Sequence, residues 1–314
     1  MQRASPRSVP RLPLTYLTSN RYHWCIVPSM RRSARFSLAF VALLFPALLS
    51  AQESTLRPHA GEEGVLRVCA DPDALPVSNQ KGEGYENKLA DLLAKTWNAK
   101  LEYAWWPVRR GFFGRGLNGR YCDVALTAPV GLDMAAVTKP YVRTMYVIVT
   151  RNDRDLDMTS LADPRFKNLK IGVHLLNSDA ENTPPAMTLS KFGVVGNLTG
   201  FTTFYSDLDR PEDIFKALVN KDIDVAIVWG PLAGYWGTRV GADLSIRPVQ
   251  ETEVDGIPFA FSLGMATRRR DRALRDSLQT FIDTHQSEIQ DIMKEFGVPQ
   301  LPLDSAPKRP EAGR

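Results

Sequence analysis

Two tryptophans and two arginines lie close together in the stretch YAWWPVRRGF, residues 103–112. Trp105, Trp106, Arg109 and Arg110 lie at and beyond the carboxyl end of a predicted strand, the side of an open α/β sheet where ligands bind. Guanidinium groups beside indole faces could hold a carboxylated aromatic molecule or the acidic surface of a protein partner. The alternative is that one tryptophan packs under the sheet and the arginines are solvated. The sequence leaves both interpretations open.

A second set of polar residues comes from the connection between the first predicted strand and the first helix. It comprises Asp71, Ser78, Asn79, Tyr85 and Glu86. We assign these residues to one wall of a cleft, together with Thr127 at the end of the third predicted strand and Asp133 in the loop after it. Helix capping is an alternative explanation of Asn79 and Glu86.

The opposite wall is predicted to come from the second half of the chain. His174, Asn177, Trp229, Tyr235 and Trp236 fall at or beyond the ends of predicted strands. An aromatic wall suits a flat ligand, although aromatic residues at strand ends also serve as core.

The sequence predicts neither a metal site nor a cofactor. The acidic run 153–157 imitates the start of a calcium loop, but Met158 and Pro164 stand where that loop needs glycine and glutamate. The histidines after residue 51 are widely spaced along the chain: His59, His174 and His285. His285 lies on the apolar face of the last predicted helix, where we expect it to pack at the edge of the core.

Nothing in the sequence predicts catalysis. It contains no serine elbow, and neither Cys69 nor Cys122 has a nearby histidine and acid. The run GFFGRG, residues 111–116, lacks the lysine and hydroxyl residue of a nucleotide-binding loop. We therefore expect a protein that is not an enzyme.

Cys69 and Cys122 fall on predicted neighbouring strands, near opposite ends. Simple alignment separates them by about three residues, or roughly 10 Å, beyond the reach of a disulfide. This slightly favours free thiols, although a bulge would allow a bond.

The first 51 residues have the composition of a targeting segment, with seven arginines and no acidic residue. A basic run at 31–35, an apolar stretch at 36–49 and small residues at 50–51 resemble a cleavable signal peptide. The apolar stretch is too short to span a bilayer. We expect translation to start at Met30, so that residues 1–29 are never made and residues 30–51 are removed.

Removing this segment reverses the net charge. Of the 39 basic residues, seven leave with it, and the remaining 32 face 35 acidic residues, so the formal charge changes from +4 to −3. The mature chain is therefore expected to have no excess of positive charge that would favour binding to nucleic acid. It also has no further apolar run long enough to span a membrane.

From residue 65 onward, short β-branched runs alternate with amphipathic helical patterns, which is typical of α/β sheets. Strands are predicted at 66–70, 100–106, 123–127, 145–151, 169–174, 223–229 and 259–267. Helices are predicted at 85–97, around 112–117, from Pro184, from Pro211 and at 272–296.

Several blocks resemble the type II periplasmic binding proteins, and in particular the solute-binding-like proteins associated with quinoprotein (PQQ) alcohol and methanol dehydrogenases. The blocks are RVCADPDALPVSN (67–79), GEGYENKLADLLA (82–94), YAWWPVRRGF (103–112), GRYCDVALTAP (119–129) and KPYVRTMYVIVTR (139–151). The resemblance implies two α/β lobes joined by a hinge, with a cleft between them. The expected boundaries are a linker at 52–64, lobe 1 at 65–150 with 250–298, lobe 2 at 151–249, and a flexible tail at 299–314.

The sequence departs from the amino-acid-binding branch of this superfamily at two positions. The resemblance implies an arginine near 131–133 and an aspartate at 229 to clamp a zwitterion. This sequence has Gly-Leu-Asp and Trp229 there. Because an unpaired buried charge is unfavourable, amino acids are not expected as ligands.

The resemblance therefore implies a periplasmic accessory protein that assists maturation or activation of a quinoprotein alcohol or methanol dehydrogenase. The alternative is a receptor that delivers a small solute other than an amino acid to an ABC permease.

Overall fold

The computed structural model describes residues 62–109, 111–175, 182–206 and 209–303. The expected presequence (1–51) and most of the linker lie outside the described residues. So do the two candidate residues Arg110 and Asn177, and the end of the expected tail from 304. Within the described ranges, no helix is long and apolar enough to cross a membrane.

Ten strands of the described chain form one mixed sheet, and four short strands form two small hairpins. In chain order the strands are β1 (Val65–Ala70), β2 (Asp73–Ala74), β3 (Ser78–Asn79), β4 (Lys100–Trp105), β5 (Val124–Pro129), β6 (Ala135–Val137), β7 (Val142–Arg151), β8 (Ile171–Leu175), β9 (Leu198–Thr202), β10 (Val225–Trp229), β11 (Leu244–Pro248), β12 (Glu253–Val254), β13 (Ile257–Pro258) and β14 (Ala260–Arg268). The helices are α1 (Tyr85–Thr96), α2 (Phe112–Arg115), α3 (Pro184–Lys191), α4 (Asp213–Val219), α5 (Gly230–Trp236), α6 (Arg272–Thr284) and α7 (Gln286–Glu295).

The strand order is β4-β1-β5-β14-β7-β10-β8-β9, with β6 paired to β14 and β11 paired to β7. Parallel strands make up each end of the sheet, β4-β1-β5 at one end and β10-β8-β9 at the other. The long strands β7 and β14 are antiparallel to each other and join the two ends. The mixed α/β architecture expected from the sequence is confirmed.

Both faces of the sheet are buried, which explains the nearly continuous apolar runs in its strands. In β7, Ile148 faces one core cluster while Val147 and Val149 face another, as expected for side chains that alternate along a strand. We call the end of the sheet with β4, β1 and β5, and the helices packed on it, the first half of the molecule, and the end with β10, β8 and β9 the second half. Helices α1, α6 and α7 supply most of the helical residues in the core of the first half. Helices α3 and α4 cover opposite faces of the second half.

The connection after β1 is held tightly against the start of α1. A Cβ atom on Gly84 would lie 2.2 Å from the carbonyl oxygen of Val77, so only glycine fits there. The side chain of Asn87 accepts hydrogen bonds from the backbone N–H groups of Gly84 and Asn79, each at 3.0 Å. These contacts fix the segment that carries the first group of candidate residues.

The prediction of a single helix at 272–296 is wrong, because two helices, α6 and α7, meet at His285. The hydroxyl of Thr284 donates to the carbonyl oxygens of Thr280 and Phe281, which competes with regular helical hydrogen bonding. The ring of His285 stacks on Phe281 at 4.8 Å. The sequence also gave no indication of α5, and the helix expected from Pro211 begins at Asp213.

The preference for free thiols is also wrong, because Cys69 and Cys122 form a disulfide with their Cα atoms 5.3 Å apart. The estimate of roughly 10 Å assumed that Cys122 belongs to an extended strand. Strand β5 instead begins at Val124, so Cys122 lies in the preceding turn and its chain is free to approach β1. A Cβ on Gly116 would lie 2.7 Å from the sulfur of Cys69, so this turn packs closely over the bond.

Candidate functional site

The carboxyl ends of β1, β4 and β5 meet at one edge of the sheet and bring the first candidate residues together. The Asp71 carboxylate accepts a hydrogen bond from the backbone N–H of Val108 at 2.6 Å, which ties the β1 connection to the segment after β4. The Ser78 hydroxyl accepts from the Asp71 N–H at 3.1 Å and donates to the Asp71 carbonyl at 2.9 Å. Asp71 and Ser78 therefore shape this edge through contacts within the chain.

Asn79 organises the loop before α1. Its side-chain oxygen accepts from the N–H groups of Lys81 at 3.1 Å and Glu83 at 2.9 Å, and its amide nitrogen donates to Glu83 at 2.7 Å. The residue that caps α1 is Gly84, so Asn79 is not the helix cap.

Glu86 is a carboxyl group in an unusual setting, since it is only 6% exposed and forms no ion pair within the described residues. Burial raises the pKa of Glu86, a hydrogen bond with Thr127 lowers it and nearby Asp71 raises it, and the pKa that results is about 8. The Thr127 hydroxyl also lies 2.9 Å from the hydroxyl of Tyr141. Glu86 is thus held among neutral hydroxyl groups, and at neutral pH its proton is largely retained.

Tyr85 belongs to the core of the first half. It is 3% exposed and its ring meets Phe296 edge-on at 6.0 Å. Burial raises the pKa of the Tyr85 hydroxyl well above its ordinary value, and the nearby Tyr141 and Glu86 raise it further.

The two tryptophans at the carboxyl end of β4 pack on their own neighbours. Trp105 stacks on Tyr103 with ring centroids 4.4 Å apart, and Trp106 lies 6.0 Å from Tyr121. The guanidinium of Arg109 lies 4.5 Å above the ring of Phe204, a residue from the second half of the chain. Arg109 therefore reaches across the cleft instead of stacking on either indole.

The second-half candidates lie at the facing edge. His174 is 4% exposed, its Nε2 lies 2.9 Å from the carbonyl oxygen of Pro211, and burial lowers its pKa to about 4. The imidazole is therefore neutral at pH 7. Trp229 packs against Tyr146 at 5.3 Å and Phe261 at 5.5 Å.

Tyr235 contacts the candidate Trp236, with ring centroids 5.0 Å apart. Tyr235 stacks on Phe296 at 5.7 Å and carries the guanidinium of Arg239 at 3.8 Å. Asp133 is exposed in the loop between β5 and β6. Neither lines the cavity described next.

A cavity of about 240 Å³ lies between the two facing edges. Its lining residues are Ala74, Leu75, Pro76, Val77, Tyr146, His174, Thr183, Thr203, Tyr205, Pro211, Trp229, Pro231 and Leu232. Of the predicted candidates, only His174 and Trp229 are among them. The residues that sequence reasoning missed are mostly apolar or proline, and they carry no motif by which they could have been found.

Three of the hydroxyl groups that line this cavity are already used within the protein. Thr183 donates to the His174 carbonyl at 2.7 Å, and Thr203 donates to the Leu175 carbonyl at 3.2 Å. The hydroxyl of Tyr205 donates to the carbonyl of Leu75. The cavity therefore offers an apolar, aromatic surface and suits an uncharged guest.

The two edges also touch each other directly. The Leu75 carbonyl, from the β1 connection, accepts hydrogen bonds from Tyr205 and from the indole nitrogen of Trp236, the latter at 3.3 Å. Arg210 lies 4.6 Å above the ring of Tyr205 and 3.7 Å from the carboxylate of Asp73. Main-chain and side-chain contacts of the protein itself thus bridge the cleft.

The described residues contain no group of three or more His, Cys, Asp or Glu side chains arranged to hold a metal ion. The positions implied for a zwitterion clamp carry no suitable charges: Asp133 is exposed, and Trp229 packs among aromatic rings.

The chain is similar in sequence and in structure to several known proteins. No protein-family model matches the sequence. Protein MoxJ of Methylorubrum extorquens is 28% identical over 287 residues, which cover 85% of this chain and 93% of MoxJ. The crystal structure of the periplasmic binding protein XoxJ from Methylobacterium extorquens AM1 is 31% identical, with a TM-score of 0.63, and the match covers 76% of this chain and 100% of XoxJ. The crystal structure of MxaJ from Methlophaga aminisulfidivorans MPT has 24% identity and a TM-score of 0.64, over 76% of this chain and 100% of MxaJ, and shows the same fold.

Proposed function

Because the chain belongs to the family of XoxJ-like periplasmic binding proteins, which have the type II fold, we propose that it is a non-catalytic accessory protein of a quinoprotein alcohol or methanol dehydrogenase. In this role it assists maturation or activation of a PQQ-dependent enzyme in the periplasm. The match to XoxJ along that protein's whole length carries this proposal.

The chemistry of the cleft supports a protein segment as its guest. A receptor for a small polar solute needs polar groups aimed at that solute, whereas the hydroxyls of Thr183, Thr203 and Tyr205 bond to the protein's own carbonyls. An apolar cavity beside an exposed arginine suits an apolar side chain flanked by acidic residues. Arg109 lies at the mouth of this cleft, against Phe204.

The proposal includes the organisation expected from the sequence. Residues 65–150 with 250–298 form one lobe and residues 151–249 form the other, with β7 and β14 running between them. Separate core clusters support two lobes, and Ile148 and Phe259, close to the proposed boundaries, pack in a cluster of the second half. The chain reaches the periplasm through a cleavable signal at 30–51.

A receptor that delivers a small non-amino-acid solute to an ABC permease is the second candidate. The observation in its favour is the cavity of about 240 Å³ with His174 and Trp229 in its wall. Permease genes beside the gene for this chain would favour transport, whereas dehydrogenase and cytochrome genes would favour the accessory role.

Binding to the cognate dehydrogenase tests the proposal. Replacement of Arg109 and Arg110 by alanine is expected to weaken association by about tenfold at low salt, and by less at high salt, since rim charges are screened. Surface plasmon resonance at two salt concentrations measures this change. The control variant Lys167→Ala/Lys170→Ala removes two exposed charges of the second half that have no ion pair in the described chain. If the arginine variant and the lysine variant bind the dehydrogenase equally well, the two arginines are not part of the binding site. If the arginine variant binds less tightly and also has lower thermal stability, the role of the two arginines is structural.

A further inference from the structure

Four arginines gather at the edge of the first half that lies opposite the cleft. Arg269 and Arg270 form the turn after β14, Arg272 begins α6, and Arg120 lies in the turn before β5. The two turns are adjacent because the Arg268 guanidinium donates to the carbonyl of Cys122 at 3.0 Å. We call Arg120, Arg269, Arg270 and Arg272 the arginine edge.

None of these four arginines has an ion pair or a side-chain hydrogen bond within the described residues, and all four are exposed. Two acidic residues close to them in sequence are paired with Arg268, which lies 3.3 Å from Asp123 and 2.9 Å from Asp271. Asp133 is exposed in the adjoining loop and offsets one of the four charges. The edge therefore keeps a positive charge in a chain whose expected mature charge is negative.

Local stability does not account for three of these charges. Arg269 and Arg270 precede the α6 cap Asp271, and Arg272 occupies the first helical position, while the first turn of α6 contains no acidic residue. A positive charge near a helix N-terminus is unfavourable, because the helix dipole is positive there.

The conformation of the fourth arginine leads to the same conclusion. Arg120 has a φ of 62°, in the left-handed region that glycine or asparagine occupies more readily. Residues that break a local rule without local compensation are expected at functional sites. Both turns thus carry arginine where another residue would stabilise the fold better.

An exposed apolar side chain lies beside these charges. Met134 is 46% exposed, and its carbonyl accepts a hydrogen bond from Asn118, in the same turn as Arg120, at 3.0 Å. Its neighbour Ala135 pairs with Arg268 in the register of β6 and β14. An accessible methionine bordered by arginines has the composition of a protein interface, in which Met and Arg are enriched.

We infer that the arginine edge and Met134 form a second docking surface, which binds an acidic protein. Arginine is suited to this partner because its planar guanidinium pairs with carboxylates in a bidentate manner. The edge lies at the amino end of β5 and the cleft at its carboxyl end, about 20 Å away for a six-residue strand. The cleft therefore remains accessible while this surface is occupied. The inference does not depend on the identity of the dehydrogenase.

Surface plasmon resonance on immobilised poly-L-glutamate tests whether this edge selects carboxylates. The variant Arg120→Ala/Arg269→Ala/Arg270→Ala is expected to bind about tenfold more weakly than the unchanged protein at about 50 mM salt, with a smaller difference at about 300 mM. The matched variant Lys95→Ala/Lys167→Ala/Lys170→Ala removes the same charge elsewhere and is expected to change binding less than about twofold. Thermal unfolding of both variants checks that the fold is retained.

Two outcomes would overturn the inference. Equal losses of affinity for poly-L-glutamate in the two variants would mean that binding depends only on the net charge of the protein. Stronger arginine-dependent binding to vesicles of anionic phospholipid than to poly-L-glutamate would assign the surface to a membrane instead of a protein. Failure of the chain to bind the dehydrogenase, with the arginine effect on poly-L-glutamate intact, would reject the proposed function and leave this surface in place.

Discussion

Removal of the Cys69–Cys122 disulfide is expected to lower the free energy of unfolding by about 4 kcal/mol. The two cysteines are separated by 53 residues, and the bond restricts the unfolded chain by closing that loop. Cys69 and Cys122 are 1% and 0% exposed and pack with Phe112 and Leu117 under the first half of the sheet. The bond also fixes the end of β1, from which the Asp71 and Leu75 side of the cleft continues.

Urea unfolding followed by circular dichroism measures this effect in the variant Cys69→Ala/Cys122→Ala. Because alanine also removes buried sulfur atoms, the unchanged protein with and without a thiol reductant serves as the control. Reduction alone is expected to move the unfolding midpoint most of the way to that of the variant. Identical midpoints for the oxidised and reduced protein would contradict the prediction.

Glu86 is expected to make the protein less stable as the pH rises. Its folded-state pKa is about 8, above its ordinary value of 4.5, because burial disfavours the charged form. A carboxyl with a raised folded-state pKa stabilises the fold below its unfolded value, and this contribution disappears as the pH rises through the folded value. The window therefore runs from about pH 4.5 to just above 8, and the full effect is at most about 5 kcal/mol.

The variant Glu86→Gln isolates this effect, since the amide resembles the neutral acid. Near pH 5 the variant and the unchanged protein are expected to unfold at similar urea concentrations. Near pH 9 the variant is expected to be the more stable of the two, because it has no charge to bury. Glu288→Gln, at an exposed position of α7, is the matched control. A constant difference between Glu86→Gln and the unchanged protein across this range would show that Glu86 does not titrate as described.

The alternation of apolar runs predicted the α/β architecture because burial of both sheet faces leaves a clear pattern in the strands. Strand β1 and helix α1 agree with the predicted ranges to within one residue. The break at His285 was missed because α6 and α7 keep a similar apolar periodicity on either side of it, and the competing hydroxyl of Thr284 leaves no signal in that pattern. The disulfide was missed because the rise per residue of an extended strand was applied to Cys122, which lies in the turn before β5.

The cleft was harder to predict than the fold. Polar and charged residues attract attention in a sequence, yet the side chains of Asp71, Ser78 and Asn79 bond to backbone groups of the protein itself. The cavity is lined instead by residues such as Leu75 and Pro231, which look like ordinary core or turn residues. Contacts between distant segments, such as Tyr205 with the Leu75 carbonyl, depend on tertiary structure and have no local pattern.

The activity and quinone content of the cognate dehydrogenase, purified from cells that lack this chain, test the central claim most directly. If the chain assists maturation or activation, the enzyme from these cells is expected to have less activity per mole, and the unchanged chain is expected to restore it when supplied again. Dehydrogenase with normal quinone content and normal activity in the absence of the chain would contradict the proposed function.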